Sequence, residues 1–218
     1  MSKFFVADLD RFLINTDAVS NVLDQVCSDV HMNAQDIVNA RLESEASGGS
    51  FDTWGYLKSL GSAALLDEVR QGFIDGCEAS PIVYEDTMPF LDFLDKSKIL
   101  NLIVTMGSDD WQEIKLEAAR LNQRNHLVTR EKNKGKIISS WRRRNGLYVP
   151  IGTSDSLGFE TVLLGDDKAV SFDDLPGDCG GYLKRDPNER VLKSQEGSVP
   201  PRVKIVGSLD EIIEDLKV

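Results

Sequence analysis

Lys3-Phe4-Phe5-Val6-Ala7-Asp8-Leu9-Asp10 is a short, apolar, β-prone run that ends at two aspartates one residue apart. It reads as a buried strand with acidic residues at its C-terminal end. The design recurs downstream. Residues 99–104 form an apolar run that leads into Thr105-Met106-Gly107-Ser108, and residues 160–164 form another that leads into Gly165-Asp166-Asp167. Shorter strands are predicted at 126–128, 181–183 and 203–206, the middle one inside a loop (176–202) rich in Gly, Pro and charge. Helical spacing fills the intervals. Residues 88–96 form one helix, and Ser108 is an N-cap for a second with Trp111, Ile114, Ala118 and Leu121 on one side. Residues 137–144 form a third, and Ser208 with Glu211 makes a capping box for the last. Strands alternating with helices predict a doubly wound, Rossmann-like parallel sheet covered on both faces.

One segment breaks the alternation. From Asp17 to Ala79 every apolar spacing is helical: Val19, Val22, Leu23, Val26 and Val30, then Ile37 and Ala40, then Trp54, Leu57 and Leu60, then Leu65, Leu66, Val69, Phe73 and Ile74. Ser47-Gly48-Gly49-Ser50 interrupts it once. Residues 1–16 and 80–218 are therefore expected to form the α/β core, with 17–79 inserted in it as a helical cap.

The 218 residues carry 36 acidic against 25 basic side chains, for a net charge of −11. That balance argues against nucleic acid or an anionic membrane as a general partner. No apolar run approaches the ~20 residues of a membrane span. The first strand reaches an aspartate too early for a secretory signal. Cys27, Cys77 and Cys179 are odd in number and widely spaced, which removes support for a disulfide framework or a cysteine zinc site. The expectation is a cytoplasmic protein with reduced thiols; nothing in the pattern speaks to its oligomeric state. His31 and His126 have no serine elbow or metal spacing around them. Phe51, Trp54 and Tyr56, and with them Trp111 and Trp141, are read as helix packing, with lining of a substrate pocket as the alternative, and the basic stretch 130–144, with Arg142, Arg143 and Arg144 at its end, as a solvated face.

In an open parallel sheet, ligands bind beyond the carboxyl ends of the strands. Asp8, Asp10, Thr105, Ser108, Asp166 and Asp167 fall there, and Lys132-Asn133-Lys134-Gly135-Lys136 precedes a helix. Crowded carboxylates call for a cation, and an all-oxygen donor set suits Mg²⁺. A hydroxyl, a helix N-terminus and an ammonium suit a phosphate. These residue types together point to metal-assisted phosphoryl transfer.

Residues 4–16 (FFVADLDRFLINT), 102–112 (LIVTMGSDDWQ), 133–138 (NKGKII) and 161–172 (TVLLGDDKAVSF) resemble, in order and spacing, the four motifs of the haloacid dehalogenase-like hydrolases of phosphatase type with a helical cap. The resemblance spans essentially the whole chain. It implies Asp8 as nucleophile, forming an aspartyl-phosphate, and Asp10 as general acid and then base, with a raised pKa for the acid step. It implies Mg²⁺ bound by Asp8, the backbone carbonyl of Asp10, and Asp166, with Asp167 as a supporting carboxylate or a ligand through water. Thr105, the amides of Met106 and Gly107, and Lys134 would hold the phosphoryl group; Lys136 stands two residues from Lys134 as the other candidate. Asp10 favours phosphate over halide chemistry, since haloacid-type members do without it. Arg11 replaces the family's usual Gly and Phe12 its usual Thr or Val, changes that would narrow substrate choice or reduce activity. The implied reaction is hydrolysis of a small phosphorylated metabolite. A phosphomutase with the same intermediate, a phosphatase of nucleotide or nucleic-acid ends using the 130–144 stretch, and a silent binding protein are the alternatives.

Overall fold

The computed structural model describes residues 2–46, 51–143, 146–154, 157–185, 187 and 197–217. Six strands form one sheet: β1 (Lys3–Ala7), β2 (Leu100–Met106), β3 (His126–Thr129), β4 (Thr161–Asp166), β5 (Gly180–Lys184) and β6 (Val203–Val206). Their order is β3-β2-β1-β4-β5-β6, and every pairing is parallel. The chain lays β2 and β3 on one side of β1, then crosses back and lays β4, β5 and β6 on the other. This is the doubly wound topology expected from the strand pattern. Its switch point falls between β1 and β4, where such sheets leave a crevice.

Four helices follow β1 without a strand among them: α1 (Thr16–Asp29), α2 (Ala34–Ala46), α3 (Thr53–Leu60) and α4 (Ala63–Ala79). The predicted break at 47–50 lies outside the described residues, as does Arg144. α5 (Thr87–Lys96), α6 (Asp109–Ala118), α7 (Lys134–Ser140) and α8 (Leu209–Leu216) alternate with the later strands, and a 3₁₀ turn (Ala169–Phe172) follows β4. None of the described helices is long and apolar enough to cross a membrane. Side-chain caps start several of them. Asn15 accepts from the amides of Asp17 and Ala18 at 2.9 Å, and Ser208 accepts from Glu211 N at 3.4 Å while Glu211 accepts from Gly207 N at 3.1 Å.

β1 is buried on both sides because it is central. Phe5 and Ala7 join a cluster with α1, α4, α5, α6 and α8, while Phe4 and Val6 join a second with Trp141, Tyr148 and Phe159. The α1–α4 helices share the first cluster and, among the described residues, have no separate one.

Several boundaries differ from the sequence reading. β2 and β4 run two residues beyond their apolar runs, because Thr105 and Met106 still pair with Val128 and Thr129, and Gly165 and Asp166 with Tyr182 and Leu183. α7 begins at Lys134 instead of residue 137 because Asn133 caps it, accepting from Lys136 N at 3.0 Å. It stops at Ser140 because Arg142 turns into a β-bridge with Tyr148.

Phe12 is also placed differently from expectation. It points into the core, buried against Phe5 and Phe90, so it does not narrow a substrate pocket. Its ring lies over Gly165, where a Cβ would stand 2.1 Å from Phe12 Cζ. Gly165→Ala is therefore expected to overpack this contact and destabilise the chain by about 2 kcal/mol, a Tm loss of about 6 °C. Adding Phe12→Leu should restore much of it, as thermal unfolding of the single and double variants will show.

Candidate active site

Asp8 directly follows β1. Its amide donates to Gly165 O at 2.9 Å, which extends the β1–β4 ladder one step and sets Asp8 beside Asp166, the last residue of β4. Asp167 comes next. The three side chains are buried, and each offers a carboxylate oxygen within 4.8 Å of the others'. Lys134, the first residue of α7, reaches into this group: its Nζ lies 2.6 Å from Asp8 Oδ1 and 2.5 Å from Asp166 Oδ2. Gly135 makes that approach feasible, because a Cβ there would stand 2.1 Å from Asp173 O. Lys136 points away, 68% exposed, and pairs with Glu131 at 3.3 Å.

Burial pushes the Asp8 carboxyl up to about 8, helped by Asp166 and Asp167 and opposed by Lys134 and Lys168. Burial works against the Lys134 charge, but Asp166 and Asp8 outweigh it and hold that ammonium above the ordinary lysine range. Lys168, whose amide donates to Asp166 Oδ1 at 2.8 Å, is likewise raised: Asp167, Asp8 and Asp166 overcome its desolvation. The donor set is three buried carboxylates in reach of one another, hard oxygen ligands that fit a cation such as Mg²⁺.

Asp10 behaves in the opposite way to Asp8, and opposite to the expectation of a raised pKa. Burial would raise it, but the Lys115 ammonium more than compensates, donating to both carboxylate oxygens at 2.6 Å. Asp10 is therefore held below the ordinary carboxylate range. Lys115 stands on α6 and is itself buried.

The phosphate-site residues gather at the end of β2. The Thr105 hydroxyl donates to Gln112 Oε1 at 2.9 Å, and Gln112 Nε2 donates to Met106 O at 3.0 Å. Gln112 lies so close over Gly107 that a Cβ there would meet its Nε2 at 2.3 Å. The Gly107 amide is committed to Thr129 O at 3.0 Å, so it is not the open donor the sequence reading expected. Ser108 occupies the N-cap position of α6, but its side chain makes no capping bond; its buried hydroxyl lies against the Asp52 carboxylate.

Arg11 takes a left-handed conformation (φ 59°), the region glycine enters freely, and its guanidinium donates to Asp17 Oδ1 at 2.6 Å in the first turn of α1. It thus reaches the start of α1. Beside Asp10 lies a cavity of about 80 Å³ that extends toward α1 and α2, lined by Asp10, Lys115, Trp111, Phe51, Arg41 and Thr16 among others. Phe51 and Trp111, for which the sequence favoured packing over pocket lining, face this space as well.

Sequence reasoning missed Lys115, Gln112, Lys168 and Arg41. α6 was read from its apolar side; Gln112 and Lys115, three apart on the other side, carried the signal of a polar face one turn beyond Ser108. Lys115→Met should remove the charge that keeps Asp10 ionised, so the acidic limb of any pH–rate profile should move to higher pH. For Asp8, whose folded pKa is raised, stability is present at low pH and declines as pH rises through about 8. In chelator, Asp8→Asn is therefore expected to melt about 5 °C above the parent at pH 8.5, with the gap closing toward pH 4.

No protein-family model matches the sequence, and no curated protein is significantly similar to it. Solved structures are. A Burkholderia xenovorans protein described as a haloacid dehalogenase-like hydrolase superposes with a TM-score of 0.68 at 15% identity, covering 98% of each chain. A HAD phosphatase from Thermococcus onnurineus gives 0.57 at 15% identity, over 98% of this chain and 97% of its own. The L-2-haloacid dehalogenase RSc1362 gives 0.53 at 12%, over 100% of this chain and 99% of its own. The likeness covers phosphate and halide enzymes alike, and at these identities it is a likeness of architecture. The chain has the fold of the haloacid dehalogenase-like hydrolases.

Proposed function

We propose that this chain is a Mg²⁺-dependent phosphatase of the haloacid dehalogenase-like superfamily, hydrolysing a small phosphomonoester through an aspartyl-phosphate on Asp8. One observation carries the reading: Asp8 is buried at the switch point between Lys134 and the Asp166–Asp167 pair, with Asp10 two residues on, beside a cavity. Asp8, Asp166 and the backbone carbonyl of Asp10 would hold the ion, with Asp167 in support. When bound, Mg²⁺ supplies positive charge against the repulsion between the Asp8 carboxylate and an anionic phosphate.

Asp8 Oδ attacks phosphorus and the bond to the leaving oxygen breaks, with a proton from Asp10 going to that oxygen. Water then attacks the phosphoryl group, Asp10 takes its proton, and phosphate leaves with Asp8 restored. Lys115 favours the second half of this cycle, because it keeps Asp10 in the form that accepts a proton. The phosphoryl oxygens are received by Lys134, by the N-terminus of α6, and by the hydroxyls of Thr105 and Ser108 once these turn from Gln112 and Asp52. Asp10 also weighs for phosphate over halide: a side chain that gives and takes protons serves an alcohol leaving group, and a departing halide needs none. Cys27, Cys77 and Cys179 are free and buried, which fits a reducing cytoplasmic setting.

The test is phosphate release from a panel of phosphomonoesters with and without Mg²⁺. Metal-dependent release is expected, with Asp8→Asn reducing it at least about 10⁴-fold, the scale of losing a catalytic nucleophile. Lys134→Ala should be severe, and Lys136→Ala nearly silent. Wild-type rates in Asp8→Asn would remove it as nucleophile; chloride release from 2-chloropropionate without phosphate release would put the chain with the dehalogenases.

A further inference from the structure

We infer that the alcohol part of the substrate is a short hydroxy acid whose carboxylate is bound by Arg41. This rests on the phosphatase reading, because it takes Asp10 to stand next to the leaving oxygen. The leaving group must then occupy the space that Asp10 borders, which is the cavity between α6 and the α1–α2 helices.

Size and lining set the first limit. The cavity is about 80 Å³, and Val19, Leu23, Ile37 and Trp111 give it apolar walls. A cavity of roughly 150 Å³ takes benzene, so this one takes about three or four heavy atoms. A sugar ring or a nucleoside does not fit within it.

Charge sets the second. Two cations and one carboxylate line this space, in a chain whose net charge is −11. The Lys115 ammonium is answered by both oxygens of Asp10. Arg41 is not answered in that way. Its Nη1 donates to Ser20 Oγ at 2.6 Å, its only hydrogen-bond partner among the described residues. Asp24, one turn beyond Ser20, feels the guanidinium's charge but forms no ion pair with it among the described residues. A guanidinium offers five N–H donors in a planar fork, and a carboxylate is the small group that takes two of them at once. A neutral alcohol leaves those donors unpaired beside apolar walls, and an ammonium is repelled by both cations.

Three phosphate esters of nearly equal size separate these cases: carboxymethyl phosphate, 2-hydroxyethyl phosphate and 2-aminoethyl phosphate. Wild type should rank them in that order by kcat/KM, with at least about thirtyfold between the first two, the low end of what losing one partner of a buried charged pair costs. Arg41→Met should collapse the ratio between the first two toward one; Arg41→Lys should keep part of it, and Ser20→Ala, which leaves the guanidinium in place, keeps the protein testable if Arg41→Met does not fold. Binding of the same three compounds to Asp8→Asn by calorimetry gives the ranking without turnover. Equal affinity for all three, a preference for the amine, or no binding of any would overturn the assignment to Arg41. A preserved ranking in binding with no phosphate released by wild type would instead overturn the phosphatase reading.

Discussion

Three carboxylates buried within 4.8 Å of one another cannot all stay ionised without a cation, and most of what surrounds them answers that constraint. Lys134 is the fixed part of the answer. Its place depends on the Asn133 cap, which starts α7 where the lysine faces the sheet end, and on Gly135, which lets the helix approach the backbone at Asp173. The sheet supplies the crowding itself, because β1 and β4 are neighbours and their ends carry acidic residues in adjacent register. Loss of either arrangement would leave a buried charge without a partner, which is far costlier than a lost surface pair.

Asp8 and Asp10 are two residues apart, yet their surroundings drive them in opposite directions. Asp8 lies among other carboxylates and is raised; Asp10 lies in the grip of Lys115 and is lowered. Diverging titration of neighbouring groups is a recurrent sign of divided labour in a site. It also ties metal to protons. A cation that settles on Asp8 must displace whatever proton the crowded carboxylate holds, so affinity for the ion rises with pH.

Much of this was legible in the sequence because the strands are short apolar runs that stop at polar residues. A parallel sheet buries both faces of its central strands and leaves chemistry to their ends, so Asp8, Thr105 and Asp166 announce themselves by position alone. The Lys-Gly step before a helix favoured Lys134, but Lys136 stayed a candidate until the structure turned it outward to Glu131. What was not legible came from faces meeting across the fold. The sequence cannot say that the fourth helix after β1 packs on α6, that Lys115 turns toward Asp10, or that Phe12 lies over Gly165. Arg11 was visible as a departure, but only its φ of 59° and its pairing with Asp17 say that the turn kept its left-handed shape without a glycine. For Phe51 and Trp111 the sequence left pocket lining as the second choice, since a helix position facing a cavity has the same periodicity as one facing a core.

The strand order also has a consequence for how the molecule comes into being. Asp166 follows Asp8 by about 160 residues, so joining the two halves of the site closes a long loop. Until β4 pairs with β1, Asp8 lacks the company of Asp166 and Asp167 and has no reason to bind an ion tightly. Completion of the acidic cluster therefore reports completion of the sheet. A divalent cation that recognises the cluster acts on a nascent or refolding population as a late-stage selector, drawing it toward the fully wound topology without favouring the half-built forms that precede it.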